Sequence, residues 1–535
     1  MQVQRRVWWQ WLIVAVVVAL AVFLRFQQID AQWLTDDEWH AVHKALSGAT
    51  YGDIALAVAE ADFSIPQTLA YKWLAAHGGL DELGMRLPML VAGLVLVLGG
   101  GRWAWRNFGA TVGLGFMGLL AISPALVYFS RNARPYGLTV VLSWGALLAL
   151  ARWRNGHGVR WAWTYALAAV LACWLHMAVA PFVLAPLALI AGLDAWQAWR
   201  ERRRAVMGGS WALGFGVALA VLLLAGLPML LNTQALALRM GSDVPSLATW
   251  IGVWFVWLGT GSRVLVVLCL ALALVGAGEL YRRRPDVFRL ALAGGLAALA
   301  AVYLSRPAWV HNPVTFGRYL LPVAPLLLLC VALGTGRVLA YPGHPSRLRT
   351  LAPGLMFIAL GGALLVNGPS FEIITRPNNF SLHSWYQFDY RVRHNPMRTR
   401  FMALPEPPFW RQLAALPPRS VRVAVAGHAL ESYTLSDVRW QPIHRQQLWS
   451  AQLNGYCGGW HWGEAAPESG VRLKNAVSLA DPASLRHAAI DYVVFNRWRE
   501  GEMPDLASCI ERFAREHGAA EYEDEYVVAF RLTGK

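Results

Sequence analysis

Residues 161–196 read WAWTYALAAVLACWLHMAVAPFVLAPLALIAGLDAW, a run of 36 residues in which Asp194 is the one acidic or basic side chain apart from a histidine. A helix needs about 20 apolar residues to cross a bilayer, so the run is long enough for two crossings. The placement of charges around the run, together with Pro181, predicts two helices at about 161–177 and 179–196. This stretch therefore predicts a helical membrane protein.

The composition of the whole chain agrees with that class. Of 535 residues, 56% are hydrophobic and only 15% are charged, whereas about a quarter are charged in an ordinary globular protein. These proportions exclude a large soluble enzyme, a disordered chain and a disulfide-rich scaffold. Eleven stretches are acceptable as crossings: 7–24, 87–101, 109–129, 137–151, 161–177, 179–196, 210–231, 263–281, 288–304, 319–340 and 351–367. The further apolar stretch 248–259 is predicted to lie at the membrane interface, where tryptophan is favoured.

The distribution of charge predicts the orientation of the chain. The formal net charge is +15, and 28 of the basic residues lie within residues 1–368. With a cytoplasmic N-terminus, 18 of those 28 fall in cytoplasmic connections that contain four acids, and the opposite side has ten basic and ten acidic residues. This is the positive-inside pattern. The charge thus orients the chain and predicts no nucleic-acid partner.

An odd number of crossings places the C-terminal part outside the cytoplasm. We predict a transmembrane domain at 1–368, with a first outer loop at 25–86, and an outer α/β domain at 369–535. In the latter, strand-like runs such as VRVAVAG from Val421 alternate with helical patterns. Cys457 and Cys509 lie in this domain, and an oxidising compartment would permit a disulfide between them. Their spacing does not show whether they meet.

The first outer loop contains the sharpest group of acids. In WLTDDEWHAVH (33–43), Asp36, Asp37 and Glu38 are consecutive, and His40 follows. Carboxylates held close together repel, so either one acquires a raised pKa suited to proton transfer, or the group holds a divalent cation. The alternative is an ordinary acidic helix start.

A second acid and a pair of arginines are further candidates. Asp62 either faces a site beneath the membrane surface or caps the helix that follows it. The loop SRNARPYG contains Arg131 and Arg134 at the outer end of the third crossing. Arginine suits phosphate because its planar fork donates two hydrogen bonds and keeps its charge. The alternative for both arginines is contact with lipid headgroups.

The last candidates lie in SRPAWVHNPVTFGRYLLPVAP (305–325), which contains Arg306, His311 and Arg318. Arg318, at the start of a helix, could reach a phosphate or extend to the headgroups. His176, near the end of an apolar helix, is predicted to be a structural residue.

Taken in order, four motifs resemble the GT-C glycosyltransferases, the group that includes protein O-mannosyltransferases and the lipid A aminoarabinose transferase. The motifs are Asp37-Glu38, MRLP (85–88), RNARPY (131–136) and RYLLP (318–322). After Asp62 the chain has FSIPQ, where many relatives have a His-Pro-Pro-Leu-Tyr-like run. Residues 369–535 match no motif of the group.

The resemblance implies a GT-C-like membrane glycosyltransferase, a hexosyl- or pentosyltransferase of the bacterial inner membrane. It would move a single sugar from polyprenyl phosphate, such as undecaprenyl phosphate, to a hydroxyl of an envelope lipid, glycan or protein, with inversion. Its partners would be that donor, the acceptor and membrane lipids. The alternatives are a lipid-linked glycan flippase or transporter, and a polysaccharide ligase or polymerase.

The resemblance also assigns roles to residues. Asp37 is the predicted general base, Glu38 would position or tune it, Asp36 is a competing base, and Asp62 is the second loop acid. The predicted ligands of the donor phosphate are Arg131, Arg134 and Arg318. Four further residues could contact substrate: Tyr136, His40, His311 and Arg306. No cofactor is required, although the acids could hold a divalent metal ion.

Overall fold

The structure is a computed structural model that describes residues 8–27, 29, 37–46, 48–58, 64–201, 208–237, 240–339, 346–368, 370, 408–426, 444–453, 455–457, 471–472, 476–497 and 505–532. Helices dominate up to residue 368, and a sheet with flanking helices follows from residue 408. The predicted helical membrane protein with a C-terminal α/β domain is confirmed. The predicted boundary between residues 368 and 369 stays a prediction, because residues 371–407 lie outside the described ranges.

Within the described residues, helices cover most of each of the eleven predicted apolar stretches. The helices are α1 Trp8–Phe26, α2 Asp37–Leu46, α3 Tyr51–Leu56, α4 Ile65–Ala76, α5 Glu82–Phe108, α6 Ala110–Ile122, α7 Pro124–Arg131, α8 Tyr136–Arg154, α9 Arg160–Leu175, α10 Ala180–Glu201, α11 Gly208–Val221, α12 Leu227–Leu230, α13 Thr233–Ala237, α14 Leu247–Leu258, α15 Arg263–Arg283, α16 Pro285–Ser305, α17 Pro313–Tyr319, α18 Ala324–Leu339 and α19 Ser346–Val366. A π-helical turn at Leu222–Gly226 joins α11 to α12.

Seven of the described helices are long and apolar enough to cross a membrane by themselves. They are α5, α8, α10, the continuous α11–α12, α15, α16 and α18, the last extended by a 3₁₀ turn at Leu321–Val323. The pair α6 and α7 would add an eighth crossing, although it bends by 56° between Ile122 and Pro124. Shorter apolar helices lie within α1, α14 and α19. The chain is a multi-pass membrane protein, and the count of eleven crossings stays a prediction.

The long apolar run at 161–196 is divided as predicted. Helix α9 ends at Leu175, His176 has an extended backbone with φ −158°, and a 3₁₀ turn at Met177–Val179 leads into α10. The break precedes Pro181 because a helix is disfavoured on the N-terminal side of proline. The stretch 109–129 was also predicted as one crossing, but the structure has the bent pair α6 and α7 there. Pro124 offers no backbone N–H at the bend.

Small residues allow the two most extensively packed helices, α15 and α18, to approach closely. A side-chain carbon on Gly276 would overlap the backbone carbonyl of Cys330, and one on Gly334 would overlap the carbonyl of Leu272. Small residues are the usual means by which membrane helices bring their backbones together. These two glycines therefore set the distance between the helices.

The C-terminal domain is built on a six-stranded sheet in the order β5-β3-β2-β6-β8-β7. The strands β5, β3, β2 and β6 are parallel, and β8 and β7 are antiparallel to their neighbours. The strands are β2 Arg422–Ala426, β3 Gln447–Gln452, β5 Ala476–Ser478, β6 Tyr492–Asn496, β7 Tyr522–Glu523 and β8 Val527–Arg531, with helices α20 Pro408–Ala414, α21 Pro482–His487 and α22 Leu506–His517. The strand-like run at Val421 is β2.

A disulfide cross-links the C-terminal domain internally, and a pair of short strands connects the domain to the rest of the chain. Cys457 and Cys509 form a disulfide with their Cα atoms 5.4 Å apart, so the two cysteines do meet. A separate pair of parallel strands, β1 Leu80–Asp81 and β4 Val471–Arg472, joins the loop at 25–86 to the C-terminal domain. Strand β1 leads directly into α5, so this contact lies in the same loop as the candidate acids.

Candidate active site

The site begins with a buried ion pair between the acid-bearing helix α2 and helix α5. Arg86 donates from Nε to Oε1 of Glu38 and from Nη2 to Oε2, both at 2.9 Å. Neither side chain has any exposed surface. Two parallel hydrogen bonds between a guanidinium and a carboxylate fix both distance and orientation. The pair therefore holds the first turn of α2 against the MRLP motif of α5.

The same carboxylate also holds the arginine-bearing loop. The backbone N–H of Ala133 donates to Oε1 of Glu38 at 2.7 Å. From the other side, the carbonyl oxygen of Ala133 accepts from Nε2 of Gln67 at 2.5 Å and from the hydroxyl of Tyr71 at 3.0 Å. Gln67 and Tyr71 are one turn apart on α4. A single residue of the loop thus connects α2 and α4.

Arg131 and Arg25 fix the start of the same loop, at the end of α7, against helix α1. Nη1 of Arg131 donates to the carbonyl oxygens of Leu24 at 3.2 Å and Arg25 at 2.9 Å. Arg25 in turn donates to the carbonyl oxygens of Leu120 and Ala121 at the end of α6. Both arginines are fully buried. Backbone carbonyls at helix ends need such partners, so these contacts join three helix ends.

Arg134 follows Ala133 in the loop and is 5% exposed. Burial raises the pKa of the Tyr71 phenol, and the negative charge of Glu38 raises it further, while the hydrogen bond from Gln67 and the positive charges of Arg134 and Arg86 lower it. The phenol stays protonated at neutral pH and remains a hydrogen-bond donor.

Arg318 lies in a second cluster next to the end of that loop. Its guanidinium carbon is 5.4 Å from the ring centre of Tyr136 and 5.5 Å from that of Tyr319. Tyr136 begins α8 directly after the loop and is 5% exposed. The imidazole of His176 lies 5.3 Å from the Tyr136 ring. A cation above an aromatic face is stabilised by the ring quadrupole, so the tyrosines orient Arg318.

The other predicted residues are placed as follows. Arg306 is exposed and ends α16 with a left-handed backbone, φ 43°, and His311 is exposed beside Trp309. Helix α2 begins at Asp37. Asp36, Asp62 and the side chains of Asp37 and His40 lie outside the described parts of the structure. The structure therefore places Glu38 against the loop that contains Arg134. It places Arg318 against the ring of Tyr136.

Two acids of the loop at 25–86 take part in helix capping. Asp53 forms a capping box with Thr50, whose hydroxyl lowers the pKa of Asp53. Oδ1 of Asp81 accepts from the backbone N–H of Gly84 at 2.6 Å and caps α5. Among the described side chains, no three of His, Cys, Asp and Glu converge as metal ligands would. The metal site was predicted from Asp36, Asp37 and Glu38. Glu38 is bound to Arg86 and Ala133, and the side chains of Asp36 and Asp37 are not described, so the metal site stays a prediction.

Sequence reasoning missed four residues of the two clusters. Gln67 and Tyr71 donate hydrogen bonds to the Ala133 carbonyl of the loop. Tyr319 lies beneath Arg318, and His176 lies near the Tyr319 ring. The four-residue spacing of Gln67 and Tyr71 after a proline is a usable signal, because residues i and i+4 share one helix face. His176 gave a weaker signal, since a lone histidine in an apolar run is most often structural.

No protein-family model matches the chain, and no curated protein sequence matches it. Among solved structures, the chain is similar to ArnT from Cupriavidus metallidurans in the apo state, at 14% sequence identity and a TM-score of 0.44, over 98% of this chain and 99% of that one. The same protein bound to undecaprenyl phosphate gives 14% identity and a TM-score of 0.44 over 99% of both chains. The Archaeoglobus fulgidus oligosaccharyltransferase, tethered with an acceptor peptide, gives 10% identity and a TM-score of 0.45 over 98% of this chain and 74% of that one.

Proposed function

We propose that the protein is a membrane glycosyltransferase that moves a single sugar from undecaprenyl phosphate, or a related polyprenyl phosphate, to an acceptor hydroxyl. The observation that carries the proposal is the unit in which Glu38 holds both Arg86 and the backbone of the loop with Arg131 and Arg134. An acidic helix start and a group of arginines are thereby held together at one end of the membrane helices. A lipid-linked phosphate and a water-borne acceptor can both reach that level of the bilayer.

The geometry of Glu38 supports a positioning role for this residue. Its carboxylate accepts three hydrogen bonds and has no exposed surface. A general base must come within hydrogen-bond reach of the hydroxyl whose proton it removes, which Glu38 cannot do while buried. We therefore assign the base to Asp37, which begins the same helix, with Asp36 as the competing residue.

Arg134 and Arg318 are our proposed ligands of the donor phosphate. Positive charge is most useful where negative charge develops, which here is the phosphate oxygen that the sugar leaves. Arg131 instead holds the loop, because its Nη1 donates to two backbone carbonyls of α1.

The reaction is then a displacement at the anomeric carbon. The acceptor oxygen forms a bond to this carbon, the bond to the phosphate oxygen breaks, and Asp37 takes the acceptor proton. The lipid phosphate leaves with the electron pair of the broken bond. Attack from the face opposite the phosphate inverts the anomeric centre.

We further propose that the site faces the outside of a bacterial inner membrane. The disulfide between Cys457 and Cys509 supports this orientation, because disulfides persist in oxidising compartments such as the periplasm. The acceptor would then be an envelope lipid, glycan or protein on that side.

Mass analysis of envelope lipids and glycans from cells with and without the protein tests the proposal. A product heavier by one sugar, present only with the protein, is the expected result. Transfer of a whole glycan would instead favour a ligase or polymerase. Movement of a lipid-linked glycan with no new covalent product would favour a flippase and contradict the proposal.

A further inference from the structure

A cluster of four polar and aromatic side chains lies where α8, α9 and α17 end or begin. Tyr136 is the first residue of α8, His176 follows the end of α9, and Arg318 and Tyr319 end α17. The His176 imidazole is 5.3 Å from the Tyr136 ring and 6.4 Å from the Tyr319 ring. With Arg318 above both tyrosines, the four side chains form one group, which we call the Arg318 cluster.

The backbone fixes His176 in this cluster. His176 is extended, with φ −158° and ψ 103°, between α9 and the 3₁₀ turn that precedes α10. Its N–H donates to the carbonyl oxygen of Ala172, and its carbonyl oxygen accepts from Val179. The break in the apolar run therefore places the imidazole of His176 at the end of α9, next to the end of α17 that contains Arg318 and Tyr319. The side chain is partly exposed.

The chemistry of the Arg318 cluster suits a phosphate. It offers a fixed positive charge on Arg318, two phenol hydroxyls and an imidazole that can donate a hydrogen bond. The two tyrosine rings lie 5.4 and 5.5 Å from the guanidinium carbon and restrict its movement, so that less side-chain entropy is lost when an anion binds. Tyr136 also connects the cluster directly to the loop with Arg134.

We propose that His176 is a binding residue for the phosphate of the polyprenyl donor, acting beside Arg318 in this cluster. The inference rests on the proposed function and adds a residue to its donor site. The imidazole N–H donates to a phosphate oxygen, and the rings of Tyr136 and Tyr319 hold the imidazole in place. The titratable rings of Tyr136 and Tyr319 lie against His176, and the charged guanidinium of Arg318 lies above both of those rings.

Binding of undecaprenyl phosphate to the full-length protein in lipid nanodiscs tests this inference. His176→Phe keeps a ring for packing against Tyr136 but removes the donor. We expect about a tenfold weaker affinity for undecaprenyl phosphate, as for loss of one hydrogen bond to a charged group. Binding of undecaprenol, which has the same chain and no phosphate, should not change. The matched control is His77→Phe, at an exposed histidine of the first outer loop.

Three outcomes would overturn the inference. The first is affinity of His176→Phe for undecaprenyl phosphate equal to that of the parent. The second is equal weakening for undecaprenyl phosphate and undecaprenol, which would mean a role in packing. The third is displacement by phosphatidylglycerol or inorganic phosphate at comparable concentration, which would mean a general phosphate site. If His176→Phe does not fold, His176→Leu replaces it with the same expected loss.

The proposed function fails separately from this inference. If the parent protein does not bind undecaprenyl phosphate at all, both are wrong. If the parent binds it and transfers a sugar while His176→Phe and His176→Leu bind as the parent does, only the role of His176 is wrong.

Discussion

At the level of single residues, Glu38 and Arg86 determine how the candidate site is assembled. Each would be an uncompensated buried charge without the other, and breaking such a pair from one side is strongly destabilising. Glu38 also holds the N–H of Ala133 at 2.7 Å. Loss of the pair therefore affects both the stability of the protein and the position of the loop.

We expect Arg86→Met to lower the free energy of unfolding by about 3 to 5 kcal/mol, the usual effect of leaving one charge of a buried pair. Thermal unfolding followed by tryptophan fluorescence measures this change. The control is Arg106→Met, at an exposed arginine of the same helix, which should leave stability within about 0.5 kcal/mol of the parent. Parent-like stability of Arg86→Met would contradict the importance of the pair.

The double variant Glu38→Leu, Arg86→Met separates stability from activity. Replacing both charges by apolar groups often restores much of the stability. Sugar transfer should nevertheless stay low, because the N–H of Ala133 has lost its acceptor and the loop its anchor. Full recovery of transfer together with stability would mean that the pair has no role in positioning the site.

At the level of helices, close packing of α15 and α18 depends on Gly276 and Gly334. We expect Gly276→Ala to destabilise the protein by about 1 to 3 kcal/mol, because the added methyl group overlaps the Cys330 carbonyl. Gly278→Ala, on the same helix with open space around it, is the matched control and should not destabilise. Equal behaviour of the two variants in thermal unfolding would contradict the packing described.

The sequence predicted the helices well because their apolar runs are long. From Pro181 and the distribution of charge it predicted a division between residues 177 and 179, and the helices are interrupted at residues 176–179. It missed the bend between α6 and α7, because a run such as 109–129 is apolar on both sides of Pro124. The contact of Gly259 with Pro124 at this bend depends on tertiary packing, which periodicity does not reveal.

The site was predicted less completely than the helices. Motif order indicated Asp37, Glu38, Arg134 and Arg318. Glu38 lies against the loop that contains Arg134, and Arg318 lies against Tyr136 at the end of that loop. The side chain of Asp37 is not described, and the role of each residue stays a prediction. The bond between Glu38 and Arg86 joins residues 48 positions apart, and no local pattern specifies such a partner. The same holds for His176 and Tyr319, which meet only because α9 and α17 end at the same level.

At the level of the whole molecule, the C-terminal domain contacts the loop at 25–86 through a pair of short strands. Leu80 and Val471 are paired in the parallel strands β1 and β4, as are Asp81 and Arg472. Asp81 caps the helix that contains Arg86. The domain thus contacts the protein immediately beside the candidate site, although two-residue strands gave no signal in the sequence.

A cysteine pair tests this contact. We expect Leu80→Cys, Val471→Cys to form a disulfide under mild oxidation, because paired strand residues have Cα atoms close enough for one. Mass spectrometry of the linked peptides detects the bond. The control pair is Leu80→Cys, Ser508→Cys, with Ser508 exposed on α22. Equal cross-linking of both pairs, or none of the first, would contradict the pairing of β1 with β4.

The proposed reaction is transfer of a sugar with Asp37 as the general base. It is tested most directly by returning the gene to cells that lack it and measuring the masses of the envelope products. The parent should restore a product heavier by one sugar. Asp37→Asn, produced to the same level, folded and binding undecaprenyl phosphate as the parent does, should reduce its rate of formation by about 10² to 10⁴. Restoration of the same product at the parent rate by Asp37→Asn would contradict the proposed mechanism.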